Sequence, residues 1–194
     1  VRHTYKEIGE RTRRFSSMLK RLGVEAGDRV GTFAWNHHRH LEAYFAIPGI
    51  GAVLHTINIR LSAQHIAYII NHADDRVLLI DDDLLPAIEA IKDEIPNVRA
   101  FIIMTDADEL PETALSPVYH YEKLLAEGDP AFPFFKDLDE YQPAGMCYTS
   151  ATTGNPKGVV YTHRSTVLHA MALGLADTQG LCERDVVMPV VPMF

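Results

Sequence analysis

Apolar positions recur along this chain in alternating helical and extended patterns. Thr4 and Glu7 stand at capping-box spacing, where each side chain can satisfy a free N–H at a helix start. Tyr5, Ile8, Phe15, Met18, Leu19 and Leu22 then repeat at helical intervals, and Gly23 supplies a C-terminal stop. Residues 29–35 read as a short strand, His38 to Ile47 as a second helix running toward Pro48, and residues 52–56 as another strand. Ser62 is an N-cap for a third helix carrying Ile66, Ile69 and Ile70. Residues 76–80 and 99–104 read as strands, with one helix from Leu84 to Ile95 between them. Short strands alternating with helices predict an α/β fold: a mostly parallel sheet with flanking helices.

The pattern changes after residue 104. Residues 105–143 carry Pro111, Pro117, Pro130, Pro133 and Pro143 among many acids, and only Tyr121 to Ala126 looks helical. The stretch is expected to be an irregular surface connection between a first α/β block, 1–104, and a second block, 144–194. In the second block, strands at 144–149 and 159–161 flank a polar loop, and a helix follows from Ser165 to Leu175. The last nine residues, from Val186 to Phe194, are all apolar or proline. They read as a strand with nothing polar after it, which leaves edge groups and apolar surface uncovered. We therefore expect this chain to be truncated at its C-terminus, a piece of a longer protein.

Composition narrows the classes. In 194 residues, 47% are hydrophobic, and 18 Lys+Arg against 26 Asp+Glu give a net charge of −8. An acidic chain repels phosphate backbones, so broad nucleic-acid binding is disfavoured. No apolar run reaches the roughly 18 residues of a transmembrane segment, and Val1-Arg2-His3-Thr4 opens directly into an amphipathic pattern, so no signal peptide is expected. Cys147 and Cys182 have neither C-x-x-C nor metal-ligand spacing and read as reduced packing cysteines, which fits a cytoplasmic location. His37, His38 and His40 cluster without a convincing partner ligand, so a helix cap or a packing role is favoured over metal. His163 is expected on solvated surface, Asp81-Asp82-Asp83 as an N-cap and solvated turn, and Trp35 and Tyr44 in the core.

One segment stands out chemically: Thr149-Ser150-Ala151-Thr152-Thr153-Gly154-Asn155-Pro156-Lys157-Gly158. Four hydroxyls (Thr149, Ser150, Thr152, Thr153) offer donors without bulk. Gly154 and Gly158 let the backbone turn its N–H groups onto an anion, and Lys157 brings a point charge. A polyphosphate suits this set. The order is not that of a Walker A loop, because Gly154 is three residues before Lys157 and Gly158 follows it. No G-x-S-x-G elbow occurs.

The segment resembles the phosphate-binding signature T-S-G-T-T-G-x-P-K-G of the adenylate-forming superfamily, which includes acyl-CoA synthetases, luciferases and peptide-synthetase adenylation domains. Nine of the ten positions fit, one of them being free. Residues 36–46, 51–56, 58–62 and 189–194 are similar to the medium- and long-chain fatty acid–CoA ligase branch, so the resemblance covers nearly the whole chain. Two positions depart from it. Ala151 stands where glycine is usual, at a cost of about 1 kcal/mol if that residue needs a positive φ, and Ile59 stands where proline is usual.

The resemblance implies the N-terminal part of the adenylate-forming fold. It implies an enzyme that uses ATP and Mg²⁺ to turn a carboxylic acid, a fatty acid above all, into an acyl-adenylate and then, with coenzyme A, into a thioester. It assigns Thr149, Ser150, Ala151, Thr152, Thr153, Gly154 and Lys157 to ATP binding, Thr149 as a Mg²⁺ ligand and Lys157 as an electrostatic catalytic clamp. Motifs beyond a position matching Phe194 are missing, so this chain alone is expected not to turn over. The alternatives are an aryl or other carboxylate–CoA ligase of the same superfamily, and a noncatalytic remnant that binds a partner. A homodimer is kept open as an assembly.

Overall fold

The computed structural model describes residues 1–149 and 154–194. Helix α1 (Tyr5–Arg21) starts at the expected capping box, in which the Thr4 side chain accepts from the Glu7 N–H and the Glu7 carboxylate accepts from the Thr4 N–H. It ends where Gly23 takes a φ of +82°, a left-handed turn that side chains resist. The chain continues through β1 (Arg29–Phe33), α2 (His38–Gly49), β2 (Val53–Thr56), α3 (Ala63–Ala73) and β3 (Asp75–Asp81). Then come α4 (Leu85–Glu89), β4 (Ala100–Met104), β5 (Val118–His120), α5 (Tyr121–Glu127), β6 (Pro143–Tyr148), β7 (Gly158–Thr162) and α6 (His163–Leu173).

The seven strands form one sheet in the order β5-β4-β3-β1-β2-β6-β7. All neighbours are parallel except β6 and β7, which form an antiparallel pair. The alternation of side chains assigns each strand to two cores. Val77 and Leu79 of β3 join Ile102 under α1, α2 and α5, where Phe15, Leu19, Ala46, Ile47 and Tyr121 pack. Leu78 and Ile80 point the other way, with Phe101 and Ile103, against Ile66, Ile69 and Ile70 of α3 and Ile88 of α4. Burial on both faces explains why β3 and β4 read as continuous apolar runs.

Several expectations are corrected. The helix drawn over 84–95 is broken into a 3₁₀ turn, the five-residue α4 and a second 3₁₀ turn at Lys92–Glu94. Its buried side chains, Leu85, Ile88, Ile91 and Ile95, are spaced by three, three and four, so one apolar face survives although the helix is interrupted. The stretch 105–143 is not wholly irregular, because Val118–His120 adds β5 to the edge of the sheet, in register with Phe101–Ile103. Helix α6 begins two residues early, at a capping box formed by Thr162 and Ser165. The apolar end, 186–194, is not a strand; it has no regular structure, and Val186 is almost fully exposed. Trp35 is 44% exposed rather than a core residue, while Tyr44 packs partly buried against the core as expected. Cys182 is exposed and Cys147 half-buried, both as free thiols. No helix among the described residues is long and apolar enough to cross a membrane.

Candidate active site

The hydroxyl- and glycine-rich segment joins β6 to β7. Strand β6 runs parallel to β2, so the segment leaves at the carboxyl edge of the sheet, where ligands of open α/β sheets bind. Its ends are tied: the Thr149 N–H donates to the Lys157 carbonyl at 3.0 Å, and the Thr149 hydroxyl lies 3.5 Å from the same oxygen. Thr149 and Lys157 therefore face each other across the hairpin, both exposed. Among the described residues, no carboxylate forms an ion pair with Lys157. Ser150, Ala151, Thr152 and Thr153 lie outside the described residues.

The two glycines serve different ends. Gly154 has a φ of +86°, and a Cβ there would meet nothing within 4 Å, so conformation alone requires glycine. Gly158 has no positive φ; a Cβ there would sit 3.3 Å from the Tyr148 ring and from Met146 Cε. Its role is close approach of β7 to those side chains rather than the turn assigned to it from the sequence.

Beside the hairpin, at the carboxyl ends of β2 and β6, lies a cavity of about 340 Å³. Tyr44, Thr56, Met146, Cys147, Tyr161 and Phe194 are among its walls. Burial, chiefly, raises the Tyr44 phenol to about 12, so it is a neutral hydroxyl at ordinary pH. Cavities that take small molecules begin at about 300 Å³ and mix apolar walls with a few polar groups.

The loop from β1 to α2 borders the same edge. The Trp35 N–H donates to Asp81 Oδ2 at 2.7 Å, and His37 Nε2 lies 2.8 Å from Asp81 Oδ1. Asp81 thus braces a neighbouring loop and makes no side-chain cap of its own 3₁₀ turn, unlike the N-cap expected of it. Asp83 accepts from the Trp35 indole at 3.0 Å. The histidine cluster works as caps and packing: His37 caps α2 by accepting from the His40 N–H, and His40 is buried between the Thr32 hydroxyl and the Trp35 carbonyl. His163 is half-buried near the Phe135 ring, with Nε2 lacking a partner, rather than on solvated surface. Among the described residues no group of three or more His, Cys, Asp or Glu side chains is arranged to hold a metal ion.

Sequence reasoning missed the charged network that holds α1, α2 and α5 together. Arg11 bridges Glu42 at 2.6 Å and Glu122 at 2.8 Å, Arg39 bridges Glu122 and Asp106 at 2.7 Å each, and the Tyr121 hydroxyl donates to Glu42. Burial pushes the Glu122 carboxyl up, but hydrogen bonds from Arg11 and Arg39 outweigh it and hold the group at about 2. Arg11 and Glu122 are 111 positions apart, so no local pattern announces the pair.

The AMP-binding enzyme family matches residues 1–194. Over 194 residues the chain is 53% identical to the long-chain-fatty-acid–CoA ligase of Thermus thermophilus, covering 100% of this chain and 34% of that protein. It is 46% identical to the medium-chain-fatty-acid–CoA ligase of Ectopseudomonas oleovorans, covering 100% of this chain and 35% of that protein. The inhibitor-bound N-terminal domain of FACL13 from Mycobacterium tuberculosis superposes with a TM-score of 0.83 at 28% identity, over 100% of this chain and 45% of that one. The chain spans about a third of the length of the curated relatives it matches. With a mostly parallel sheet and a family match that runs from the first residue to the last, this chain belongs to the AMP-binding enzyme family.

Proposed function

We propose that the chain forms the phosphate-gripping part of an AMP-forming acid–thiol ligase that activates a fatty acid. The connection from β6 to β7 leaves the carboxyl edge of the sheet next to a cavity lined by Tyr148 and Tyr161, and this supports the reading. The similarity to two fatty-acid–CoA ligases favours a fatty acid over an aryl one.

In the first step a carboxylate oxygen of the acid attacks the α-phosphorus of ATP, and the bond from that phosphorus to pyrophosphate breaks. Negative charge grows on the departing oxygens. The hydroxyls of Thr149, Ser150, Thr152 and Thr153 and the backbone of Ala151 and Gly154 would donate to those oxygens, and the Lys157 ammonium would oppose their charge. Lys157 moves no proton; it is an electrostatic clamp. In the second step the thiol of coenzyme A, giving up its proton to solvent, attacks the acyl carbon through sulfur, and AMP leaves with the electrons of the acyl–oxygen bond.

Mg²⁺ would neutralise phosphate charge when bound. Thr149 offers one hydroxyl oxygen to it, and the described residues supply no further ligand set, so no step is routed through the metal. The test is pyrophosphate exchange into ATP, driven by a fatty acid, in the full-length protein. Lys157→Ala should lower it about a hundredfold, the usual loss for one transition-state donor, while Lys92→Ala leaves it near the unaltered rate. Equal effects of the two substitutions would overturn the phosphate role.

A further inference from the structure

The carboxamide of Asn36 makes three hydrogen bonds to alternate residues of one extended segment. Its Nδ2 donates to the Pro189 carbonyl at 3.2 Å and the Val191 carbonyl at 2.8 Å, and its Oδ1 accepts from the Met193 N–H at 2.7 Å. The Tyr44 hydroxyl donates to the Met193 carbonyl. Val190 and Val191 are 78% and 77% exposed, so the polar contacts hold this stretch, while Pro192, Met193 and Phe194 beyond it are half-buried against the cavity. Only a carboxamide both donates twice and accepts from one position, so neither Asp nor Ser reproduces the set.

The loop that carries Asn36 is braced on both sides of it. Asp81, only 6% exposed, holds the Trp35 N–H before it and the His37 ring after it. The segment therefore meets a clamp whose backbone is fixed independently of it. What the clamp places is part of the cavity's wall: Pro192, Met193 and Phe194 line it together with Thr56, Cys147 and Tyr161.

We infer that Asn36 is a positioning residue, which through residues 189–193 sets the wall of the cavity that receives the hydrocarbon end of the acid. The acid part of this inference rests on the ligase reading above. No atom of Asn36 need touch the acid; the residue acts by fixing where the chain beyond it stands. The side-chain bonds of Asn36 go to residues 189–193 and none reaches the β6–β7 hairpin, so the acid and ATP should respond differently.

The experiment is made on the full-length protein with Asn36→Ala, Asn36→Asp and Asn36→Gln. Asn36→Ala should raise KM for a medium-chain fatty acid about fivefold or more, as expected for lost hydrogen bonds of about 1 kcal/mol each, with KM for ATP within about twofold. Hydrogen exchange at the Met193 amide should quicken in the same variant. Asn36→Asp should be at least as severe, since it aims a carboxylate at two carbonyls, and Asn36→Gln should restore part of the loss. Tyr44→Phe, which removes one contact and keeps the loop intact, should move the acid KM in the same direction by less. The inference is overturned if Met193 exchange is unchanged, if exchange quickens while the acid KM stays put, or if the two KM values rise together. An unaltered protein that forms no acyl-adenylate at all would sink the ligase reading, and the acid part with it. The exchange measurement would still decide whether Asn36 holds the segment.

Discussion

His55 of β2 and Asp75 of β3 meet across the intervening strand β1, with Nδ1 2.7 Å from Oδ2 and both side chains wholly buried. Gly31 is the β1 residue in register with His55, and it is what lets them meet. A Cβ on Gly31 would come 3.1 Å from that same Asp75 oxygen and 2.5 Å from Leu78 Cδ2. The pair leaves His55 Nε2 and Asp75 Oδ1 without partners among the described residues, which makes the remaining bond the more valuable.

Gly31→Ala should therefore destabilise the protein by about 2 kcal/mol, the ordinary cost of overpacking a filled core. Urea unfolding of the variant checks this. An unchanged midpoint would mean that β1 and β3 can spread freely at that point.

Removing one partner should cost more than altering the space between them. Asp75→Ala strands the His55 ring in the interior and should lower stability by about 3 kcal/mol, in the range for breaking a buried pair. Asp75→Asn keeps an acceptor for the Nδ1–H and should recover part of that loss. The comparison of the two unfolding midpoints separates the bond from the volume.

Stability should fall in acid in two stages. Burial first, and then the Arg39 and Arg11 charges, lower His38 to about 4; burial lowers His40 to about 4 as well. Both rings are favoured neutral in the fold, so their contribution is fully present above the unfolded value near 6.5 and is lost as pH falls toward 4. Glu122, depressed to about 2, contributes above about 4.5 and loses that contribution as pH drops to 2. Unfolding free energy measured from pH 8 to pH 2 should slope through both windows. His40→Gln should flatten the upper one, and Glu122→Gln the lower.

The approach of α5 to α1 gives a fourth outcome. Gly128 lies against the first helix, and a Cβ there would sit 2.4 Å from the Arg14 carbonyl oxygen. Backbone cannot yield as a side-chain tip can. Gly128→Ala should push α5 outward, weaken the Arg14–Gly128 hydrogen bond and lower the melting temperature, while Gly145→Ala, with 3.6 Å of room, should not.

Much of this was legible before any coordinates. Periodicities of about two and about four residues are local consequences of backbone geometry, so α1, α2, α3, β3 and β4 could be placed from their apolar positions. Caps are local too: Thr4, Ser62 and Gly23 do what their spacing indicates. The three-residue β5 carried no such signal, since its pairing with β4 is supplied by the sheet rather than by its own composition. The segment 149–158 stood out in the sequence for a different reason: its hydroxyls, glycines and lysine are concentrated in ten consecutive residues, so their order alone carries the resemblance to a family signature.

What the chain's own order determined, then, was the alternation of strands and helices and the hairpin between β6 and β7, because these depend on neighbours a few residues apart. Tertiary structure alone decided that Asp81 braces Trp35 and His37, that Asn36 reaches residues 189–193, and that Glu122 answers both Arg11 and Arg39. Those partners lie from 44 to 157 positions apart. A hydrogen bond constrains only where two atoms finish, and that is known once the sheet has brought the loops at its carboxyl edge together.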